Sequence, residues 1–66
     1  MEFGAKFKQL RIDNNLTQKQ LAEKLGIKQT NISNWENDKT RPEYENLIKL
    51  AKIFDVTTDE ILGIEK

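Results

Sequence analysis

The sequence contains no cysteine and no histidine, and these two absences exclude several kinds of chemistry at once. Without a thiol there is no disulfide and no cysteine nucleophile, and without an imidazole there is no zinc finger and no histidine catalysis. A metal site would need oxygen ligands alone, and no Asp/Asn/Gly loop of the EF-hand kind is present. The three glycines, Gly4, Gly26 and Gly63, are too scattered to form a phosphate-binding loop. We therefore expect no metal, no cofactor, no small-molecule substrate and no enzymatic activity.

Long apolar stretches are missing as well. No run approaches the ~18 residues that a membrane-spanning helix needs, and the first ten residues lack the apolar segment of a signal peptide. This pattern predicts a cytoplasmic protein without membrane contact. The chain has 66 residues, of which 36% are hydrophobic and 33% charged. That composition is typical of one small globular domain, which we predict to span residues 1–66.

The net charge of the chain is zero, which by itself argues against a nucleic-acid partner. The two parts of the chain differ, however. Residues 1–41 carry eight lysines and arginines against five acids, and residues 42–66 carry three against six. An asymmetry of this kind can orient a small protein on DNA, although an excess of three positive charges is modest.

The spacing of apolar residues predicts short helices and shows no strand-like alternation. The first helix is predicted over Phe3–Asp13, because Phe7 and Leu10 follow Phe3 at the spacing of one helical face. The asparagines at positions 14 and 15 are natural stops, since asparagine tolerates the left-handed conformation.

A second helix is predicted to open at Thr17, whose hydroxyl would pair with Gln20 in a capping box. Gly26 is expected to end it, because the residue after a helix often takes the left-handed conformation and glycine does so without strain. Ile27 follows and is expected to be a buried plug in the turn.

Three further helices complete the prediction. The third covers about Gln29–Asn37, and the fourth covers about Glu43–Phe54 after the only proline, Pro42. A second capping box at residues 57–60 begins a short fifth helix through Leu62. The predicted fold class is all-α, a compact five-helix bundle.

The third helix carries an unusual set of polar side chains. Ile32 and Trp35 share the face that we expect to lie in the core, at about 100° per residue. The opposite face carries uncharged donors and acceptors, namely Thr30, Ser33, Asn34 and Asn37, with Gln29 on the flank. An idle solvated face would normally carry Glu and Lys, which favour helix more strongly. The pattern indicates a recognition surface, and our hypothesis is that it reads the edges of DNA bases.

An ordered set of residues along the chain supports this hypothesis. The set comprises Leu10-Arg11, Leu16-Thr17-Gln18, Leu21-Ala22, Leu25-Gly26, Ile32-Ser33, Trp35-Glu36-Asn37, Pro42, Leu50-Ala51 and Phe54. At these spacings the chain resembles the lambda-repressor and Cro type of helix-turn-helix, also called the xenobiotic-response-element family. The resemblance covers about residues 3–62 and places the helix-turn-helix at about residues 17–37. It implies that helix 3 lies in the major groove of double-stranded DNA while helix 2 crosses the backbone.

The resemblance also implies two sets of contacts with DNA. Base contacts map to Lys28, Gln29, Thr30, Ser33 and Asn34. Their chemistry fits, because an amide can pair with adenine, a lysine can donate to guanine, and a threonine methyl can pack on a thymine methyl. Phosphate contacts are implied around them, at Gln18, Asn31, Asn37, Lys39, Arg41 and Arg11.

Several of these residues also have a purely structural interpretation. Lys28 can be an ordinary exposed lysine at a helix N-terminus. In the family, the arginine that ends helix 1 pairs with the glutamate after the aromatic position, which implies a pair between Arg11 and Glu36 here. Such a pair would hold helix 1 against helix 3, while one edge of the guanidinium could still meet a phosphate.

Two positions depart from the family pattern. Family members usually have Ser or Thr where Lys28 stands, so the cap of helix 3 is expected to be weaker. They usually have Gly where Asp38 stands. A left-handed Asp38 would cost roughly 1 kcal/mol, and its charge would repel a nearby phosphate.

The sequence therefore predicts a sequence-specific DNA-binding transcriptional regulator, expected to be a repressor that binds a palindromic operator as a homodimer. The resemblance implies a dimer contact at the C-terminal helix, for which Ile61, Leu62 and Ile64 are the candidates. The alternative is a protein-interaction module on the same fold, such as an antitoxin or an adaptor. Zero net charge and the acidic second part of the chain keep that alternative open.

Overall fold

Five α-helices follow one another along residues 3–62, the part of the chain that the computed structural model describes. They are α1 (Phe3–Asp13), α2 (Gln18–Leu25), α3 (Gln29–Glu36), α4 (Tyr44–Phe54) and α5 (Thr58–Leu62). These residues contain no β-strand, so the prediction of an all-α, five-helix fold is confirmed. Helix α3 stops one residue before its predicted end, and α4 starts one residue after its predicted start. Within the same range no helix is both long and apolar enough to cross a membrane.

The first four helices end in the same kind of backbone motif. A residue just beyond each helix takes the left-handed conformation, and N–H groups beyond the helix bond back to its last turn. The left-handed residues are Asn15, Gly26, Asp38 and Asp55. The predicted stops at Asn15 and Gly26 are confirmed, whereas each of the two aspartates adopts a conformation that costs it about 1 kcal/mol and would cost a glycine nothing.

Threonine side chains cap the starts of α2 and α5. The Gln20 N–H donates to the Thr17 hydroxyl at 3.0 Å, and the Thr17 N–H donates to the Gln20 side chain at 2.8 Å, so the predicted capping box is confirmed. In residues 57–60 only one half of the second box forms, in which the Glu60 N–H donates to the Thr57 hydroxyl. Lys28 precedes α3 without a side-chain cap, as its residue type indicated.

Phe7 lies at the centre of the core and joins three helices. Its ring stacks on Phe3 with centroids 5.7 Å apart, meets the edge of Trp35 at 5.8 Å and lies 6.1 Å from Phe54. Because these rings come from α1, α3 and α4, their packing fixes how the three helices sit together. Within residues 3–62 the buried apolar residues are Phe3, Phe7, Leu10, Leu21, Ala22, Leu25, Ile32, Trp35, Leu50, Phe54 and Ile61.

Two apolar positions correct the sequence-based expectations. Ile27 is only half-buried, because it follows the glycine turn at the edge of the core and lines a surface groove. Ile61 is completely buried, since α5 packs against both α1 and α4. It is therefore unavailable for the predicted contact between two copies. Leu62 is half-buried, and Ile64 lies outside the described residues.

Gly4 brings the first turn of α1 into direct contact with the main chain of α3. A Cβ atom at this buried position would collide with the carbonyl oxygen of Glu36 and would lie 2.9 Å from that of Trp35. Both atoms belong to the backbone, so neither can yield without shifting the end of α3. Glycine is required here by close approach, although it is a poor helix former.

Replacing Gly4 with alanine is therefore expected to destabilise the protein by about 1–3 kcal/mol. The direction is informative, because helix propensity alone would stabilise the protein by up to about 1 kcal/mol. Urea denaturation followed by circular dichroism measures the difference. Lys6→Ala, at an exposed position of the same helix, should change stability by less than about 0.5 kcal/mol. A Gly4→Ala protein at least as stable as the parent would contradict the close approach.

Candidate nucleic-acid interface

Helix α3 packs against α1 and α2 with one side and turns the other side to solvent. Ile32 and Trp35 are buried, as predicted. On the opposite side Thr30 is exposed, whereas Ser33 and Asn34 are half-buried. The uncharged polar face proposed from the sequence is therefore present, with two of its members partly covered by their neighbours.

A shallow groove of about 330 Å³ separates the start of α2 from α3. Its walls are formed by Gln18, Gln29, Thr30 and Ser33. All four belong to the predicted DNA-contacting residues, and the fold brings them together from two helices. Lys28 lies exposed just before α3, next to Gln29 in the chain. The groove thus offers hydrogen-bond donors and acceptors to an external partner, with a cation beside it.

The carboxylate of Glu36 receives bonds from two other parts of the fold. Arg11 Nε donates to its Oε2 at 2.6 Å, and Gln18 Nε2 donates to its Oε1 at 3.0 Å. Arg11 also donates through Nη1 to the Leu16 carbonyl at 2.7 Å, in the connection between α1 and α2. The side chains of Arg11 and Glu36 are only 11% and 5% exposed. The predicted ion pair is present and attaches the end of α3 to α1, while the bond from Gln18 attaches it to α2.

Gln18 extends this set of bonds to the polar groove. Its amide nitrogen bonds Glu36, and its amide oxygen accepts from Gln29 Nε2 at 3.2 Å. The amide of Gln18 is therefore oriented from both sides. Gln29, the first residue of α3, is held by the same chain of contacts.

A second groove, of about 270 Å³, lies on the other flank of α3. It is bounded by the end of the α2–α3 turn, by α3, by the α3–α4 loop and by the start of α4. Its lining residues are Ile27, Asn31, Trp35, Thr40, Arg41, Glu43 and Asn46. Asn31 and Arg41, both predicted phosphate contacts, meet here, on the side of α3 away from Gln18. Tyr44 begins α4 and is 76% exposed.

The loop after α3 holds the remaining predicted phosphate contacts. Asn37 donates through Nδ2 to the Ser33 carbonyl at 2.9 Å, so its amide is folded back on α3. Lys39 is exposed, and the Arg41 guanidinium lies 5.6 Å from the centre of the Phe3 ring. Asp38 is left-handed and accepts a hydrogen bond from the Gly4 N–H at 2.9 Å. Its carboxylate is therefore directed at α1.

Sequence reasoning assigned no role to the contacts of this loop with α1 or to Thr40 and Asn46 in the second groove. Gly4 carried a weak signal, since an isolated glycine within a helical pattern often marks a close approach. The other contacts had none. Asp38 and Gly4 are 34 positions apart, so only the packing of α1 on α3 brings them together.

Comparison with known proteins identifies the family. A profile described as helix-turn-helix matches residues 7–61. The chain therefore belongs to the Cro/CI-type helix-turn-helix family.

Curated relatives of the chain carry the names of transcriptional regulators. The chain is 50% identical over all its 66 residues to the HTH-type transcriptional activator BcrR of Enterococcus faecalis, of which it covers 32%. It is 41% identical over 63 residues to the HTH-type transcriptional regulator ImmR of Bacillus subtilis, covering 96% of this chain and 50% of ImmR. It is 37% identical over 49 residues to the cryptic phage CTXphi transcriptional repressor RstR of Vibrio cholerae, covering 74% of this chain and 44% of RstR. The chain thus spans about a third to a half of the length of these curated relatives.

Arg11→Met is expected to lower the free energy of unfolding by about 3–5 kcal/mol, because it leaves the buried carboxylate of Glu36 without its ion-pair partner. The double variant Arg11→Met/Glu36→Met should recover much of this loss, since two apolar side chains can replace a buried pair with little change in stability. Urea denaturation measures both variants.

Lys8→Met provides the matched control, because Lys8 is an exposed cation on the same helix. It should change stability by less than about 0.5 kcal/mol. If Arg11→Met behaves like Lys8→Met, the ion pair does not hold α1 and α3 together.

Proposed function

We propose that residues 1–66 form a single DNA-binding domain of a cytoplasmic transcriptional regulator and that α3 reads base edges in the major groove. The observation that carries the proposal is the polar groove beside α3. Uncharged amides and hydroxyls line it, and Gln29 is already oriented through Gln18. Membership of the helix-turn-helix family supports a major-groove position for α3.

The proposed base contacts come from Lys28, Gln29, Thr30, Ser33 and Asn34. An amide that pairs with adenine N6 and N7 discriminates by about 1–3 kcal/mol against other bases. It does so best when it is held in place before binding, since less side-chain freedom then has to be given up. The contact of Gln29 with Gln18 supplies that orientation.

The proposed phosphate contacts lie on both flanks of the reading face. Gln18 stands at the start of α2, where its amide and the free N–H groups of the first turn suit an anion. Asn31 and Arg41 line the groove on the opposite flank, and Asn37 and Lys39 follow the end of α3. Arg11 is mostly covered and is paired with Glu36, so we assign it the smallest direct contribution.

We further propose that the protein binds a palindromic operator as a homodimer and represses by occupying it. One recognition helix contacts only a few base pairs, so two half-sites about 34–36 Å apart would supply the missing specificity. Half-buried Leu62 is the described C-terminal residue best placed to contribute to a dimer contact. The relatives include one named activator and one named repressor, so the position of the operator relative to the promoter would decide the sign of regulation.

A protein-interaction module, such as an antitoxin or an adaptor, is the competing proposal. It draws on the zero net charge of the chain. The polar groove favours DNA, because protein interfaces are enriched in aromatic anchors at their centre and this groove has none among its lining residues.

Gln29→Ala and Asn34→Ala are expected to abolish preference for one operator sequence while leaving weak binding to unrelated DNA, because they remove base contacts and keep phosphate contacts. Titrations of labelled operator and of scrambled DNA measure the two affinities for each variant. Gln9→Ala, which truncates an exposed amide on α1, is the control and should keep the preference. Equal losses on both kinds of DNA would count against base reading.

Selection of binding sites from random DNA should recover paired half-sites with dyad symmetry, about 34–36 Å apart.

The salt dependence of binding gives a second prediction. Four cationic phosphate contacts, from Lys39 and Arg41 of each protomer, predict a slope of about −3.6 when the logarithm of the affinity is plotted against that of the salt concentration. Affinity should then fall on the order of 100-fold between 50 and 200 mM salt. Binding to a protein partner with no selected DNA site would favour the competing proposal, and single unpaired sites would exclude the dimer.

A further inference from the structure

The α3–α4 loop is attached to the first turn of α1 at two nearby residues. Asp38 Oδ1 accepts a hydrogen bond from the Gly4 N–H, and the Arg41 guanidinium lies over the ring of Phe3. The two attachments bracket Lys39 and Thr40. The path of the loop between α3 and α4 is therefore determined by a helix that lies outside the helix-turn-helix.

The backbone at Asp38 would by itself favour glycine. Its φ is +59°, a conformation that costs a non-glycine residue energy. The N–H groups of Asp38 and Lys39 bond back to the Trp35 and Asn34 carbonyls, so α3 is closed by a motif in which this position must be left-handed. At Asp38 the bond from the Gly4 N–H offsets part of this cost.

The bond to Gly4 also suits the charge of the carboxylate. The N–H groups in the first turn of a helix have no partner within the helix, and the positive end of the helix dipole lies there. Within Phe3–Asp13 the first turn has no acidic side chain of its own. Asp38 supplies one from another part of the chain, so its charge is matched by α1.

The close packing of Gly4 on α3 fixes where its N–H can meet Asp38. Its main chain already lies against Glu36 and Trp35, with no room for a side chain. The N–H of Gly4 is thus fixed relative to the end of α3, and the carboxylate that binds it is fixed as well. Any movement of the loop away from α1 would break this bond.

We propose that Asp38 is a positioning residue for DNA binding, which acts by anchoring the α3–α4 loop to α1 so that Lys39 and Arg41 meet the phosphate backbone. The inference rests on the proposed function. It assigns Asp38 no contact with DNA. Its negative charge, which would oppose a phosphate, is instead directed at the N-terminus of α1.

Two variants with an uncharged residue at position 38 separate the effect of the bond to Gly4 from the effect of the negative charge. Asp38→Asn keeps an oxygen acceptor for the Gly4 N–H and tolerates the left-handed conformation. Asp38→Gly also removes the charge and takes the left-handed conformation freely, but it has no acceptor. Both change the net charge equally, so a difference between them reports the bond to Gly4.

Affinity for the selected operator and its salt dependence are measured for the parent and both variants. Asp38→Asn should bind at least as tightly as the parent, with an unchanged slope. Asp38→Gly should bind about tenfold more weakly than Asp38→Asn, because a charge-assisted bond to a phosphate is worth about that factor. Its slope should be shallower by about 0.9 for each phosphate that the loop no longer neutralises. The unfolding temperature of Asp38→Gly should stay close to that of the parent, because glycine removes the backbone strain of the left-handed conformation and this offsets the lost hydrogen bond.

Hydrogen exchange of the Gly4 amide, read by NMR on the free protein, tests the anchor without DNA. Exchange should be slow in the parent and in Asp38→Asn and faster in Asp38→Gly. Equal affinities and equal salt slopes for the two variants would overturn the proposal, as would a weakened Asp38→Asn. If the parent itself selects no DNA site, the proposed function fails first, and that outcome is distinct from a parent that binds DNA with variants that do not differ.

Discussion

The guanidinium of Arg11 and the carboxylate of Glu36 meet where α1, α2 and α3 come together, almost completely shielded from solvent. Arg11 also holds the Leu16 carbonyl, and Glu36 also holds Gln18. Replacing such a pair with apolar side chains is often neutral, because both charges lose their hydration on burial. Its contribution is therefore mainly geometric. With the bond from Gln18, it ties the end of α3 to α1 and to the start of α2, so the polar face of α3 cannot rotate independently of the rest of the fold.

Helix α1 serves as the support for this arrangement. Gly4 and Arg11 lie two turns apart on α1, and both meet Glu36, one at its main chain and the other at its side chain. Phe7, between them, packs on Trp35 one position earlier in α3. Main-chain contact, aromatic packing and an ion pair thus act on the same turn of α3. Thr30, Ser33 and Asn34, which are proposed to contact DNA, lie on the opposite face of α3. Other proposed contacts also hold the fold together, since Gln18 bonds Glu36 and Arg41 lies over Phe3.

Much of the fold follows from local rules, which is why the sequence predicted it well. Apolar spacing and capping signals together located all five helices, and the stops at Asn15 and Gly26 and the capping box at Thr17 depend on residues close in sequence. The pair between Arg11 and Glu36 came from the family resemblance and is present. The failures concern burial: Ile27 is more open than expected and Ile61 is fully enclosed, because their surroundings depend on how distant helices pack.

By itself, the sequence determined the helices, their ends and the uncharged polar face of α3, because hydrophobic periodicity and capping act over a few residues. Only the tertiary structure decided which of those polar groups meet. Gln18 and Gln29 come together because α2 and α3 pack at a fixed angle, and Asp38 reaches Gly4 because α1 lies against the end of α3. From the sequence, Asp38 was expected to carry a charge that would repel a nearby phosphate. The fold gives that charge a partner, because the Gly4 N–H in the first turn of α1 donates to it.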